Sequence, residues 1–265
     1  MPTRALSTAA LGMSAQQRAV DNIANNLANV NTTGFKQSSI AFQDLFYQNV
    51  EISKRGTSSD QISSVPSQLQ LGHGSRAVAN IRNFTQGPLS ESGNPLHLAI
   101  NGSGFLQVEM PDGSVAYTRD GNLSLDSTGR VVTQSGVPLA DFIEVPEDIQ
   151  GLNISKEGIV TARLNGDGDT IELGQIELAK FVNTSGLTAM GDNLYSQTEA
   201  SGLPIFGTPG MEGFGTIEQG FLEQSNVDIV TEMVNLISAQ RAYETNSKMV
   251  QTTEDMMAMT NAIKR

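Results

Sequence analysis

The last part of the chain repeats apolar side chains at every seventh residue. One row comprises Ile229, Leu236, Tyr243, Val250 and Met257, and the row beside it comprises Ala242, Met249, Met256 and Ile263. Two adjacent rows make one apolar stripe on an α-helix. Because neither glycine nor proline occurs between residues 224 and 265, the pattern predicts one long helix over 227–265. A helix of that extent is roughly 50 to 55 Å long, so it needs a partner of similar length.

The first thirty residues carry the matching pattern. Leu6, Met13, Val20 and Leu27 are spaced by seven, and Ala9, Ile23 and Val30 each follow a member of that row by three residues. This is the a/d spacing of a coiled-coil seam, and it predicts a helix over 4–31 that ends near Gly34. The two ends of the chain are therefore expected to form a two-helix coiled coil, with the middle as a separate body.

Between the ends the period changes from seven to two. Leu96, Leu98 and Ile100 alternate with other residues, as do Leu106 and Val108, and turn signals such as Asn101-Gly102 and Asp112-Gly113 recur at short intervals. Short alternating runs of this kind are typical of antiparallel β-structure. Residues 186–220 are rich in glycine and are expected to be loops.

The patterns together predict an α+β fold in which terminal helices form a coiled coil beside an antiparallel β-rich middle domain. The expected domains are a terminal helical domain (1–35 and 226–265), a connecting segment (36–80 and 203–225) and a β-rich outer domain (81–202). Residues 53–70 are rich in serine and glutamine. Such a stretch is typical of a flexible loop, unless packing against other copies orders it.

The net negative charge of the chain excludes some classes of binding partner. The chain has 16 basic and 28 acidic residues and a net charge of −12, and residues 36–227 hold 10 of the basic and 22 of the acidic ones. Nucleic-acid binding depends on neutralising phosphates, so this balance argues against nucleic acid and against an anionic membrane surface. No apolar run approaches the ~18 residues of a membrane span. The N-terminal heptads run through the region that a cleaved signal peptide would occupy, which disfavours one.

Three motifs could suggest a nucleotide site, a calcium site or a hydrolytic acid pair, but each is better explained as a turn. Residues 72–77 fit G-x-G-x-x-A, but the dinucleotide fingerprint needs a helix directly afterwards, and none is predicted. Residues 165–169 imitate a calcium loop that lacks the glycine and the final glutamate. The carboxylates Glu144, Glu147 and Asp148 could be imagined as the acid pair of a peptidoglycan-cleaving enzyme, but acidic turn residues around a proline are commoner. The sequence has no cysteine and only two histidines, His73 and His97, so it predicts no thiol catalysis and neither a thiolate nor a His-rich metal site. Together with the weakness of these motifs, this predicts no enzyme activity.

Two strings at opposite ends resemble the flagellar rod and hook (axial) protein family. They are ANNLANVNTTGFK at 24–36 and SNVDIVTEMVNLISAQRAYETNSKMV at 225–250. Within the family the chain most resembles the distal rod members, on the strings at 41–48, 71–78, 116–132 and 191–202. Proximal rod and hook paralogues are the alternative within the family, and a trimeric coiled-coil adhesin is an alternative outside it, although the heptads here are confined to the ends.

The resemblance implies a structural subunit of the periplasmic rod in the flagellar basal body. Such a subunit polymerises into a rigid hollow helical shaft that transmits torque to the hook and conducts exported subunits. The implied partners are other copies of the chain, the proximal rod proteins, the hook protein, the P-ring and L-ring proteins, and the flagellar type III export apparatus that exports it with an uncleaved N-terminus. The resemblance implies no cofactor.

The residues expected to serve assembly fall into two groups. Asn22, Asn25, Asn26 and Asn29 share one helical face, either as a solvated surface or as donors to neighbouring subunits. The predicted assembly interface comprises Leu6, Met13, Val20, Asn22, Asn25, Asn26, Leu27, Asn29, Ile229, Leu236, Tyr243, Val250 and Met257. The resemblance also implies that the segment after the first helix, residues 42–70, packs between subunits, and we call this segment the insert. Its predicted packing residues are Phe42, Leu45, Phe46 and Tyr47.

Overall fold

A computed structural model describes residues 2–51, 68–141, 143–146, 149–164 and 170–263. The two α-helices within this part of the chain are α1 (Pro2–Ala28) and α2 (Ile229–Ile263), and a short 3-10 helix spans Thr184–Gly186. The strands are β1 (Ser38–Asp44), β2 (Tyr47–Glu51), β3 (Gln68–Gly72), β4 (Ser75–Arg82), β5 (Leu89–Glu91), β6 (Leu98–Asn101), β7 (Leu106–Glu109), β8 (Val115–Thr118), β9 (Leu123–Leu125), β10 (Val131–Thr133), β11 (Ile149–Ile154), β12 (Ile159–Leu164), β13 (Thr170–Gln175), β14 (Leu178–Lys180), β15 (Thr188–Gly191), β16 (Leu194–Ser196), β17 (Ile205–Gly207), β18 (Thr216–Gln219) and β19 (Phe221–Glu223).

The chain divides into two compact units. The helical unit comprises Met1–Asn25, Ser38–Ile81 and Val230–Arg265, and the β body comprises Asn26–Gln37 and Arg82–Ile229. Both predicted terminal helices are present, and α1 ends three residues earlier than expected because residues 29–32 form turns, with Asn29 N–H donating to Asn26 O at 3.2 Å. The α+β class with antiparallel sheets in the middle is confirmed. No described helix combines the length and the apolar character that crossing a membrane would require.

Within the helical unit, small side chains let the two helices approach closely. A Cβ built on Gly12 of α1 would lie 2.9 Å from Nδ2 of Asn246 on α2. Ala9 and Ala15 of α1 and Ala239 of α2 are buried. The same unit contains the ribbon β1–β4 and the hairpin β2–β3, in which Tyr47 pairs with Gly72.

The β body combines local hairpins with pairings between distant parts of the chain. Strands β11, β12 and β13 form a sequential antiparallel meander, and β7, β8, β16 and β15 form a four-stranded antiparallel sheet. By contrast, β5 pairs with β19 and β6 pairs with β18, so residues near 90–100 lie beside residues near 216–223.

The core of the β body is made of large apolar side chains. Its main cluster includes Leu98, Ile100, Leu106, Val108, Leu123, Val160, Ile176, Leu178 and Ile217. A second cluster includes Phe105, Tyr117, Phe181 and Tyr195, with edge-to-face ring contacts such as Tyr117 to Phe181 at a centroid distance of 4.8 Å. Residues 186–220, which we expected to be loops, contain β15 to β18 instead. These strands are only three or four residues long, so their alternation is too short to stand out among the glycines.

Candidate assembly surfaces

One side of α2 is buried, and the side chains on it are small or polar. Glu232, Ala239 and Thr253 are buried, and half-buried Asn246 completes their seven-residue spacing. Leu236, Val250 and Met257 from the first predicted row are half-buried beside them. The heptad period of the sequence is therefore present in the burial pattern, but its best-buried row is not the apolar one.

Three of the four residues in the second predicted row of α2 lie off the buried side, and only Ala242 is half-buried. Met249, Met256 and Ile263 are exposed, as are Ile229 and Tyr243 from the first row. Further exposed apolar side chains on the same helix are Val230, Met233, Val234, Ile237 and Met259. We call the exposed apolar residues of α2 other than Ile229 and Tyr243 its outer apolar face. Clustered exposed apolar side chains are a mark of an interaction surface, so α2 carries apolar residues on more sides than one partner helix can cover.

The predicted row of α1 is only partly covered. Leu6, Met13, Val20 and Leu27 are all half-buried, and Leu11 is exposed. The best-buried positions of this helix are Ala9, Ala15, Ile23 and Asn26.

The four asparagines differ in their surroundings. Asn22 donates from Nδ2 to Ser38 O at 2.7 Å and accepts from Ser38 Oγ at 2.6 Å, so its amide is engaged within the helical unit. Asn26 is buried and Asn25 is exposed. Asn29 accepts from Thr32 Oγ1 at 3.2 Å. Two of the amides therefore help to hold the chain after α1, a role that we did not predict.

The insert presents aromatic side chains to solvent. Phe46 is 92% exposed, Phe42 and Tyr47 are exposed, and Leu45 is half-buried. Arg4 of α1 contacts Gln48 and lies 3.1 Å from His73 Nε2, which links the start of the helix to the β2–β3 hairpin. Most of the Ser/Gln-rich stretch 53–70 lies outside the described residues, so its expected flexibility or packing stays a prediction.

The motifs set aside on sequence grounds lie partly within the described residues. Residues 73–74 join β3 to β4, so the G-x-G-x-x-A string is followed by a strand and not by a helix. Glu144 is exposed and lies 3.6 Å from Arg130. The calcium-like stretch 165–169 and residues 147–148 lie outside the description. Within the described part of the chain, no group of three or more His, Cys, Asp or Glu residues is placed to hold a metal ion.

A buried ion cluster in the β body was not predicted from the sequence. Lys36 Nζ lies 2.5 Å from Glu223 Oε1, and Arg119 NH1 lies 3.3 Å from Glu223 Oε2. Gly87 N–H also donates to Glu223 Oε1, at 2.9 Å. Burial lowers the pKa of Lys36 and the pKa of Arg119, while the charge of Glu223 opposes that shift in both.

The cluster fastens the segment after α1 to the segment before α2. Gly34 N–H donates to Glu223 O at 2.8 Å, and Gln37 N–H donates to Asn226 Oδ1 at 2.7 Å. Lys36 and Glu223 both lie in or beside the strings that carried the family resemblance, and that proximity is the one signal in the sequence that could have pointed to them.

Helices from both ends of the chain, apolar faces left exposed on them, and a β body with its own core are the architecture that the resemblance to flagellar axial proteins implies. Comparison with known proteins agrees over nearly the whole chain. Residues 6–36 match the family described as flagella basal body rod protein, residues 99–162 match the flagellar hook protein FlgE/F/G D1 domain, and residues 218–263 match the flagellar basal body rod FlgEFG protein C-terminal family.

Individual relatives narrow the assignment. The flagellar basal-body rod protein FlgG of Borreliella burgdorferi is 47% identical over 264 residues, 99% of both chains. The FlgG of Buchnera aphidicola subsp. Acyrthosiphon pisum is 47% identical over 246 residues, covering 93% of this chain and 94% of the relative. The FlgF of Caulobacter vibrioides is 36% identical over 253 residues, 93% of each chain. The chain belongs to the FlgG family of flagellar basal-body rod proteins.

Proposed function

We propose that the chain polymerises into the distal part of the flagellar rod, as a rigid hollow helical shaft that transmits motor torque to the hook and conducts exported subunits. The helices of residues 1–35 and 226–265 pair as a coiled coil and form the inner wall of the tube. Residues 36–80 and 203–225 connect this wall to the β-rich outer domain, residues 81–202. The role is structural, and it needs neither catalysis nor a cofactor.

The observation that carries the proposal is the outer apolar face of α2. Val234 and Ile237 near the start of the helix, and Met256 and Ile263 near its end, are exposed although they are apolar. Leaving such side chains in water costs about 1.5 to 3 kcal/mol each relative to burying them. Packing against the helices of other copies removes that cost, and the half-buried row of Leu6, Met13, Val20 and Leu27 on α1 offers a surface of the same period.

The insert supplies a second contact in this proposal. Phe42, Phe46 and Tyr47 extend aromatic surface into solvent, and aromatic side chains are enriched where proteins associate. Interlocking of this segment between neighbouring subunits would stiffen the shaft.

Family membership also supports the partners that we propose. The chain would continue the proximal rod proteins at one end and carry the hook protein at the other, pass through the P-ring and L-ring proteins, and reach the rod tip through the flagellar type III export apparatus. Its site of action is the basal body in the periplasm. A proximal rod or hook position is the second candidate. Within one organism, Caulobacter vibrioides, the chain is 44% identical to FlgG and 36% identical to FlgF, which favours the position of FlgG.

Sedimentation and electron microscopy of the full chain at rising concentration test the proposal. The wild type should form tubes, and Val234→Glu, which places a charge on the outer apolar face, should raise the concentration needed by at least roughly tenfold. Gln240→Glu adds a charge at an exposed polar position of the same helix and should assemble like the wild type. Tubes formed equally well by Val234→Glu would show that this face is not an interface.

A further inference from the structure

The β body contains a pocket of about 330 Å³ with an unusual charge. Arg82, Arg119 and Lys180 line it together with the aromatic rings of Phe84 and Phe105, and no aspartate or glutamate belongs to its lining. The β body as a whole has seven basic and twenty acidic residues. Three of the seven basic side chains therefore meet at one pocket of an otherwise acidic unit.

Next to the pocket, the buried ion cluster contains more positive charge than negative charge. Lys36 and Arg119 share a single carboxylate, that of Glu223. Arg119 is 4% exposed, and among the described atoms its Nε has no hydrogen-bond partner. A buried charge is costly unless it is paired, so this arrangement favours an additional anion at the side where Arg119 reaches the pocket.

The other two cations of the pocket are held by weak acceptors. Arg82 NH1 donates to Tyr195 Oη at 3.2 Å, and Lys180 Nζ donates to Gly213 O at 3.3 Å. Both acceptors are neutral oxygen atoms. A carboxylate adds the attraction of a full negative charge to such bonds, so an incoming anion can compete with these neutral acceptors for both side chains.

The rim of the pocket is apolar and exposed. Lys180 and Phe181 line the pocket, and the next residue, Val182, is 85% exposed. Lys180 pairs across the β14–β17 ribbon with Ile205, which is also exposed, and Leu203 beside that strand is 80% exposed. A free phosphate or sulfate has no apolar surface with which to cover such a rim. A protein segment with a carboxylate and apolar neighbours would cover it.

We propose that this pocket is a docking site for an acidic side chain of a second copy of the chain, whose apolar neighbours cover Val182, Leu203 and Ile205. This inference rests on the proposed self-assembly and adds a contact between β bodies to the contact between helices. The charge of the pocket indicates which partner binds there. The β body of a second copy is strongly acidic, so two β bodies repel each other over most of their surfaces. They attract each other where the basic pocket of one copy meets an acidic side chain of the other.

Reversing one charge of the pocket in the full chain tests the inference. Lys180→Glu should raise the concentration at which the protein assembles by at least roughly tenfold, and Lys180→Gln should raise it less. Arg163→Glu makes the same change of charge on an exposed side chain of β12, outside the pocket, and should stay within about twofold of the wild type. Thermal unfolding of each variant shows whether the β body has remained folded.

Zero-length carbodiimide crosslinking locates the contact directly. Assemblies of equal parts of ¹⁵N-labelled and unlabelled protein should yield a crosslink between Lys180 of one copy and an aspartate or glutamate of another. If the wild type and Lys180→Glu assemble alike and no such crosslink forms, the docking site is wrong and the proposed function stands. If inorganic phosphate binds the wild type but not Lys180→Glu, and assembly is unchanged, the pocket holds a free oxyanion. A wild type that never assembles would overturn both proposals.

Discussion

The helical unit and the β body bury different kinds of side chain. The best-buried residues of α1 and α2 are mostly small or polar, such as Ala9, Ala239 and Thr253, whereas the β body buries large apolar ones such as Leu98 and Ile217. Because burial of apolar area is the main favourable contribution to folding, the β body has a core of its own. The helical unit instead exposes much of its apolar surface, and the comparison indicates that its stability depends on other copies.

The largest effect on stability is expected from removing the buried carboxylate of the β body. Glu223→Gln leaves Lys36 and Arg119 buried without a counter-charge, so the free energy of unfolding of the β body should fall by about 3 to 5 kcal/mol. Urea unfolding followed by the near-UV circular dichroism of the tyrosines measures it, since Tyr117 and Tyr195 are buried there.

The exposed pair of Arg130 and Glu144 provides the control. Their charged atoms lie 3.6 Å apart, and both side chains are largely exposed, so Glu144→Gln should cost less than about 1 kcal/mol. Equal losses in the two variants would show that the buried cluster does not stabilise the body.

A smaller effect is expected in the helical unit from a larger side chain at Gly12. Gly12→Leu would push against Asn246, which a Cβ already approaches to 2.9 Å, and overpacking of this kind costs about 1 to 3 kcal/mol. Far-UV circular dichroism should lose helical signal, while the near-UV signal of the buried tyrosines stays unchanged.

Two further variants show whether the helices touch at this point. Ala10→Leu places the same leucine side chain at an exposed position of α1 and should have little effect. Combining Gly12→Ala with Asn246→Ala should be more stable than the sum of the single changes. Simple additivity would mean that the two helices are not in contact there.

The smallest effect concerns pH and is confined to the β body. Burial, with the nearby charge of Glu177 adding to it, raises the pKa of Asp141 to about 6. A carboxyl whose pKa is raised by folding loses stability as the pH rises from about 4, its unfolded value, to about 6. Asp141→Asn should therefore stabilise the protein at pH 8 by roughly 1 to 2 kcal/mol and leave it unchanged at pH 4.

The pKa of Asp112 is shifted in the opposite direction to that of Asp141. Hydrogen bonds from the hydroxyl and the backbone N–H of Ser114 lower the pKa of Asp112, so Asp112→Asn should give no gain at pH 8. Unfolding curves at the two pH values compare the variants. A gain from Asp141→Asn that is equally large at pH 4 would contradict the assigned cause.

The sequence predicted the elements of both units better than their contacts. The seven-residue period placed both terminal helices, and strict alternation located β6 and β7. Periodicity could not show which side of α2 is buried, since a row containing Glu232, Asn246 and Thr253 does not look like a seam.

Pairings between residues far apart in the chain could not be predicted from the sequence either. Lys36 and Glu223 are 187 positions apart, and β5 pairs with β19. Local patterns carry no information about such partners, because the contact arises only after everything between them has folded.

The two segments of the β body that follow α1 and precede α2 meet where Gly34 N–H donates to the backbone oxygen of Glu223. Between these points lie exposed turns such as Asp112–Gly113, where a Cβ added at Gly113 would meet no atom within 4 Å. A peptide tag or a small folded module grafted into such a turn would lengthen the protein without changing the spacing at which its two ends emerge. The β body can thus gain a module at its surface while the contact between residues 34 and 223 stays as it is.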